Sequence, residues 1–441
     1  MRCRHVLPAK PSSLHRNCLW KSSSRRRCKQ PLRRASSHTC ASAWRGKCST
    51  VGFNVLLGSS MNHIKLAMPL ILACAALAAA QPARAAQIVI GQVAPLSGPE
   101  ASQGRAYAAG MQLLFNGVNK SGGVNGHTFA LVSKDDGGRP EYTVRLTRKM
   151  LSEEQPAVLA GYLGNRNVSE LVSAGVLEKE RVALVGYRAA DVRPDTPLLY
   201  NVRASLRDEL GKITEHLATI GVTSLALLYE EGPGAAALIA ATEEATGKSE
   251  ATVVSKVSYE AGTTRVSDAI DSFIKVRPQA IILVCSGVAG ARSIEQYRAN
   301  GGGAQIFVYS GADMERVAKR IAEDRLSFVS TVMRGVAISH VVPNPYDVSR
   351  LAKELNEAAK GGKPDVPVSY VMMEGYIAAK VIVEAVRRQG QRPTREGMAA
   401  ALESIDNLNL AGYVVGFKPG MRSGSRFVAL SIISDTGKIR Q

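Results

Sequence analysis

The sequence predicts an α/β protein built as two similar Rossmann-like lobes, each with a parallel sheet. Three observations carry that prediction. Short apolar runs alternate with segments of helical length and pattern, this series runs twice, and about 356 residues follow an apolar leader, enough for two packed cores. In open parallel sheets ligands sit outside the carboxyl ends of the strands, so two such sheets facing each other line one cleft with polar loops.

Strands are predicted at 88–93, 129–133, 157–160, 182–185, 225–229, 253–257, 280–285 and 306–309, each an apolar run rich in Val, Ile and Leu. Helices fall between them at 103–119, 142–152, 235–246 and 265–274. The duplication is one of pattern: IVIGQVAPL is echoed by LALLYEEGP, AVLAGYLGN by AIILVCSGV, and VALVGYRAA by IFVYSGADM. The break falls near YNVRASLRDE (200–209), where a helix opens the second half.

The chain's net charge of +19 is misleading as a whole-protein property. Residues 1–60 hold 13 Lys/Arg, no acid, five of the seven Cys and both Trp, without apolar periodicity; they read as a mistranslated or disordered basic extension. From Met61 the sequence has the form of a secretory signal peptide (61–85): Lys65, an apolar run of 15 residues at 66–80, and small residues at Ala83 and Ala85. That run is short of the ~20 residues a spanning helix needs. Two rivals are a transit peptide, from the Arg- and Ser-rich extension, and lipid attachment at Cys74, whose flanks fit a lipobox poorly. Beyond residue 85 the chain carries 41 Lys/Arg against 37 Asp/Glu, a net of +4, so nucleic acid is not an expected partner. One cysteine remains there, Cys285, read as a buried apolar residue, so no internal disulfide is expected in a periplasmic chain.

The first loop, APLSGPE, has Gly91, Gly98 and Gly104 in the wrong spacing for a dinucleotide fingerprint, although Ser97 and nearby backbone N–H groups suit a carboxylate. GKS at 247–249 follows a helix instead of opening one and is not a phosphate loop. SGGVNGH (121–127) is a turn. Asp135 and Asp136 invite acid/base or metal chemistry, but no His or third acid lies near them in sequence, so a solvated loop or hinge contact is the plainer reading. No G-x-S-x-G, C-x-x-C or H-x-x-x-H occurs beyond residue 85; catalytic residues, metal ligands and cofactors are expected to be none. GYLGNRN (161–167) and GYRAAD (186–191) are more informative. Tyr162 and Tyr187 are placed to cap an apolar ligand group, Arg166 and Arg188 to fork onto a carboxylate, and Glu230, Glu231 and Asp313 to take an ammonium; for each Arg a solvent-facing side chain is an equal reading, and for each acid a solvated face is the default.

With these residues in view, the chain resembles the periplasmic solute-binding proteins of ABC importers, in the leucine/isoleucine/valine-binding, type I branch. The resemblance rests on APLSG (94–98), FNGVNKSGGVNG (115–126), the Asp pair at 135–136, YNVRAS (200–205), VVPNP (341–345) and EGYIAAKVIVEAVRR (374–388), and covers nearly all of 87–435. It implies two α/β lobes hinged around a central cleft by three strands, closing on a small solute and docking on a membrane permease. Lobe 1 would take 86–204 with 333–411, and lobe 2 would take 205–332 with 412–441. The family grips the ligand carboxylate with loop hydroxyls, where this chain has Gly164, Asn165, Arg166 and Asn167, then Tyr187, Arg188, Ala189 and Ala190. The acid pairing with the ammonium would fall between Ser310 and Asp313. The scaffold carries over, and leucine as the solute does not; an amide, another amino acid or an organic acid fits as well. The expected function is non-enzymatic capture, by a monomer, of an amino acid, amide or organic acid for a permease. The alternative is a sensory module of the same fold. An enzyme would need Asp135 and Asp136 to face a cleft acid or base.

Overall fold

The computed structural model describes residues 86–190, 196–323, 335–418, 421–433 and 439–440. The segments read from sequence as a basic extension and a signal peptide, with Cys74, lie outside the described residues. Two sheets organise the rest. The first contains β1 (Gln87–Ala94), β2 (Thr128–Asp135), β3 (Val158–Leu163), β4 (Leu184–Arg188) and β5 (Leu199–Tyr200) in the order β2-β1-β3-β4-β5, all pairs parallel. The second contains β6 (Ser224–Glu230), β7 (Thr252–Tyr259), β8 (Ala280–Val284), β9 (Gln305–Val308), β10 (Val336–His340), β13 (Ala429–Ile433) and β14 (Ile439–Arg440). Its first five run β7-β6-β8-β9-β10, again parallel, which is the first sheet's order repeated; β13 and β14 are added antiparallel. A separate hairpin pairs β11 (Leu408–Leu410) with β12 (Tyr413–Val415). The eight predicted strands are all present within a few residues, and the fold is the α/β arrangement of two parallel-sheet lobes that the sequence predicted.

The helices are α1 (Ala101–Lys120), α2 (Pro140–Glu153), α3 (Asn165–Ser173), α4 (Val176–Lys179), α5 (Leu206–Thr219), α6 (Ala235–Lys248), α7 (Ser267–Val276), α8 (Gly287–Ala299), α9 (Met314–Glu323), α10 (Arg350–Gly362), α11 (Tyr370–Gln389) and α12 (Arg395–Glu403). Helix α11 is buried nearly all round, as its apolar run requires. It crosses α1 at two glycines: a Cβ on Gly110 would lie 2.0 Å from the Met372 carbonyl oxygen, and one on Gly375 2.2 Å from that of Tyr107. Any side chain at either position would push the helices apart. The second half opens where expected, with α5 capped by Ser205, whose Oγ accepts from Asp208 N while Asp208 accepts from Ser205 N at 3.0 Å.

The chain crosses between the sheets after β5, after β10 and again before β13. Residues 336–340, assigned from sequence to the first lobe, pair with β9 and β13 in the second sheet instead. Sequence position hid this because β10 is placed only by tertiary pairing. The three crossings meet at Tyr413, whose hydroxyl lies 2.8 Å from the Val202 carbonyl oxygen and 2.9 Å from that of Val341.

Candidate solute-binding cleft

The strands of both sheets end at a cavity of about 400 Å³. Its walls come from the loop after β1 and the start of α1 (Pro95, Glu100, Gln103), Gly164 after β3 and the first turn of α3 (Asn165, Arg166, Asn167), Arg188 at the end of β4, and, from the second sheet, Glu230, Thr263, Thr264, Ser286 and Tyr309. Each loop is there because a parallel strand has just ended.

Asp135 and Asp136 shape the first of these loops. Asp135 accepts hydrogen bonds from the backbone N–H of Leu96 (2.8 Å), Ser97 (3.2 Å) and Gly137 (2.9 Å), which outweigh its desolvation and hold the carboxyl below its ordinary value. Asp136 is 1% exposed and takes Thr143 Oγ1 at 2.6 Å and Asn167 Nδ2 at 3.3 Å; burial raises its pKa. A solvated loop is therefore the wrong picture for Asp136, which pins α2 to α3. Ser97 is exposed and lies off the cavity wall, bound to Asp135.

The tyrosines are elsewhere than expected. The strands do not stop at 160 and 185 but run on through Gly161 and Gly186, both left-handed, with φ of +70° and +71°. A left-handed residue shifts the side-chain alternation by one, so Leu159 and Tyr162 share a face, as do Leu184 and Tyr187. Both rings are buried in the core beside α2 and α3, and the Tyr162 hydroxyl is bonded to Thr147 Oγ1 at 2.9 Å. Neither caps the cavity.

Arg188 reaches the cavity wall but is already occupied. Its Nε donates to Gln103 Oε1 at 3.0 Å, Nη2 to the Ser310 carbonyl oxygen at 2.8 Å, and Nη1 to Glu374, which is fully buried on α11. Arg203 continues the network to Glu209 Oε1 at 2.9 Å and to Ser310 Oγ, and lies 3.6 Å from Glu374. Glu209 in turn accepts from Ser310 N at 2.9 Å and from Ser339 Oγ at 2.6 Å. Ser310 is thus part of a buried ionic network joining the sheets. Sequence reading missed Glu209 and Glu374; the available signal was a lone acid inside the all-apolar face of YVMMEGYI.

Other expected residues divide between the main cavity and its surroundings. Gly164 (φ +101°), Asn165 and Arg166 line the cavity, and Arg166 is exposed with no hydrogen-bond partner among the described residues. Ala189 and Glu231 line a neighbouring pocket of about 120 Å³. Asp313 is buried off the cavity wall and links the second lobe to α1, accepting from Ser102 Oγ at 2.6 Å. A second bridge joins Asn165 Nδ2 to Glu230 Oε2 at 3.0 Å. Glu100, which the sequence reading passed over, is a wall residue whose carboxylate accepts from Gln103 Nε2. Burial raises the pKa of both Glu100 and Glu230. Cys285 is buried, as expected, and its thiol is pushed up by burial. Among the described residues no helix is long and apolar enough to cross a membrane.

Comparison with known proteins agrees with this geometry. A substrate-binding periplasmic protein from Ralstonia solanacearum is 34% identical, with a TM-score of 0.73 over 80% of this chain and 99% of that one. A Leu/Ile/Val-binding protein homolog from Brucella melitensis is 24% identical over 326 residues, 72% of this chain and 83% of the relative. A branched-chain amino acid ABC transporter protein from Thermus thermophilus, solved with bound valine, shares the fold at a TM-score of 0.69 and 14% identity, covering 80% of this chain and 94% of that one. The sequence pattern of the periplasmic binding protein family matches residues 87–426. The chain therefore belongs to the periplasmic binding protein family, with the two-lobed α/β fold of its type I members.

Proposed function

We propose that this protein is the extracytoplasmic solute-binding component of an ABC transporter, delivering an amino acid or a related small carboxylate or amide to a permease, without chemical turnover. The observation that carries the reading is the cavity of about 400 Å³ walled by strand-end loops of both sheets, within the range of ~300–1,000 Å³ usual for small-molecule sites. The two lobes, 86–204 with 341–411 and 205–340 with 412–441, would close on the solute, and bonds such as Ser102–Asp313 and Asn165–Glu230 favour the closed state.

Thermal melting of the protein against amino acids, amides and small organic acids tests this. One chemical class should raise the midpoint, since ligand at 100 times its Kd adds about 2.7 kcal/mol to the folded state. No shift from any class, or conversion of the added compound, overturns it.

A further inference from the structure

We infer that the cavity selects a solute through a protonated nitrogen held between Glu100 and Glu230, and does not clasp a free carboxylate. The inference rests on the cavity being the solute site.

The two acids enter from opposite sides, Glu100 ahead of α1 and Glu230 at the end of β6, and both line the same space. Each takes one side-chain amide donor, from Gln103 and Asn165 respectively. An ionised carboxylate accepts about four hydrogen bonds, so both keep free acceptor capacity. The cationic and amide groups that would hold an anion are largely engaged, which leaves the wall hydroxyls of Thr263, Thr264 and Ser286 as its neutral donors. Three of the five N–H donors of the Arg188 guanidinium are committed, to Gln103, Glu374 and Ser310, and its charge is paired by the buried Glu374. Asn165, where a hydroxyl would serve a ligand carboxylate, gives its amide N–H to Glu230 and accepts the Ala190 N–H at 2.6 Å. Arg166 is the remaining cation on the wall, and it is exposed.

The electrostatics agree with the geometry. Burial raises both carboxyls, and the charge of Glu100 adds to the rise at Glu230, opposed there by Asn165 and Arg166. A cation between them relieves both the desolvation and the mutual repulsion.

Calorimetric titration with four matched classes decides the matter: primary amines, amino-acid amides, free amino acids and amine-free carboxylates, each on short aliphatic and aromatic skeletons. Amines and amino-acid amides should bind at least tenfold more tightly than the carboxylates of the same skeleton. Glu100→Gln and Glu230→Gln should each weaken the cations at least tenfold with the melting midpoint kept, while Glu231→Gln leaves affinity unchanged. Tightest binding by a carboxylate, or unaltered cation affinity in Glu230→Gln, overturns the inference and leaves solute capture standing. Silence from all four classes overturns both.

Discussion

Two groups of charge meet at Arg188. On the hinge side, Arg188 and Arg203 are matched by Glu209 and Glu374, all four below 7% exposure and bonded to one another and to Ser310. On the cavity side, Glu100 and Glu230 face open space with one amide donor each. Both groups contain the residue types a sequence reader looks for in a binding site. The difference is bookkeeping of donors and acceptors: charges satisfied by the protein hold the architecture, and charges with spare capacity are available to a solute.

The largest expected effect breaks the satisfied group. Glu374→Ala leaves two buried guanidiniums short of a counter-charge and should cost about 3–5 kcal/mol in urea denaturation; a loss below 1 kcal/mol would mean the network is ornamental. Next comes a buried group that is neither paired nor exposed. His340 stacks on Tyr370 at 4.2 Å, neither ring nitrogen has a hydrogen-bond partner among the described residues, and burial lowers its pKa to about 4. Between its unfolded value near 6.5 and that folded value, the unfolded chain takes up a proton that the folded one refuses. His340 should therefore cost stability as pH falls through this window, by about 3 kcal/mol once below it, and His340→Phe should remove that share of the acid sensitivity. Equal acid loss in both proteins would refute it. The smallest effect sharpens the cavity side: Arg166→Ala should change stability by under about 0.5 kcal/mol, because the side chain is exposed and unbonded among the described residues. A larger drop in the melting midpoint would place Arg166 with the structural charges.

The strands were legible where apolar runs are dense, as in LALLYE and AIILV, because burial on both faces needs no knowledge of the partner strand. Residues 336–340, VAISH, were not, since Ser339 inside a buried strand makes sense only once Glu209 arrives from 130 positions away. The same limit explains the site. Arg166 was named from the loop pattern, and Gly164 and Asn165 through the family resemblance, and all three line the wall, whereas the two tyrosines were displaced by left-handed glycines that spacing does not reveal. Arg188 does reach the cavity wall, but its partners come from α1, α11 and the loop after β9, so its availability could not be judged from GYRAAD.

Tyr413 carries a last consequence. A hydroxyl has one proton, yet the Tyr413 oxygen stands 2.8 Å and 2.9 Å from two carbonyls on different crossings. It can donate to only one at a time, so the meeting point of the three segments has two settings that differ by the rotation of a single O–H bond. The two crossings therefore share one proton, and whichever carbonyl draws away leaves that proton to the other.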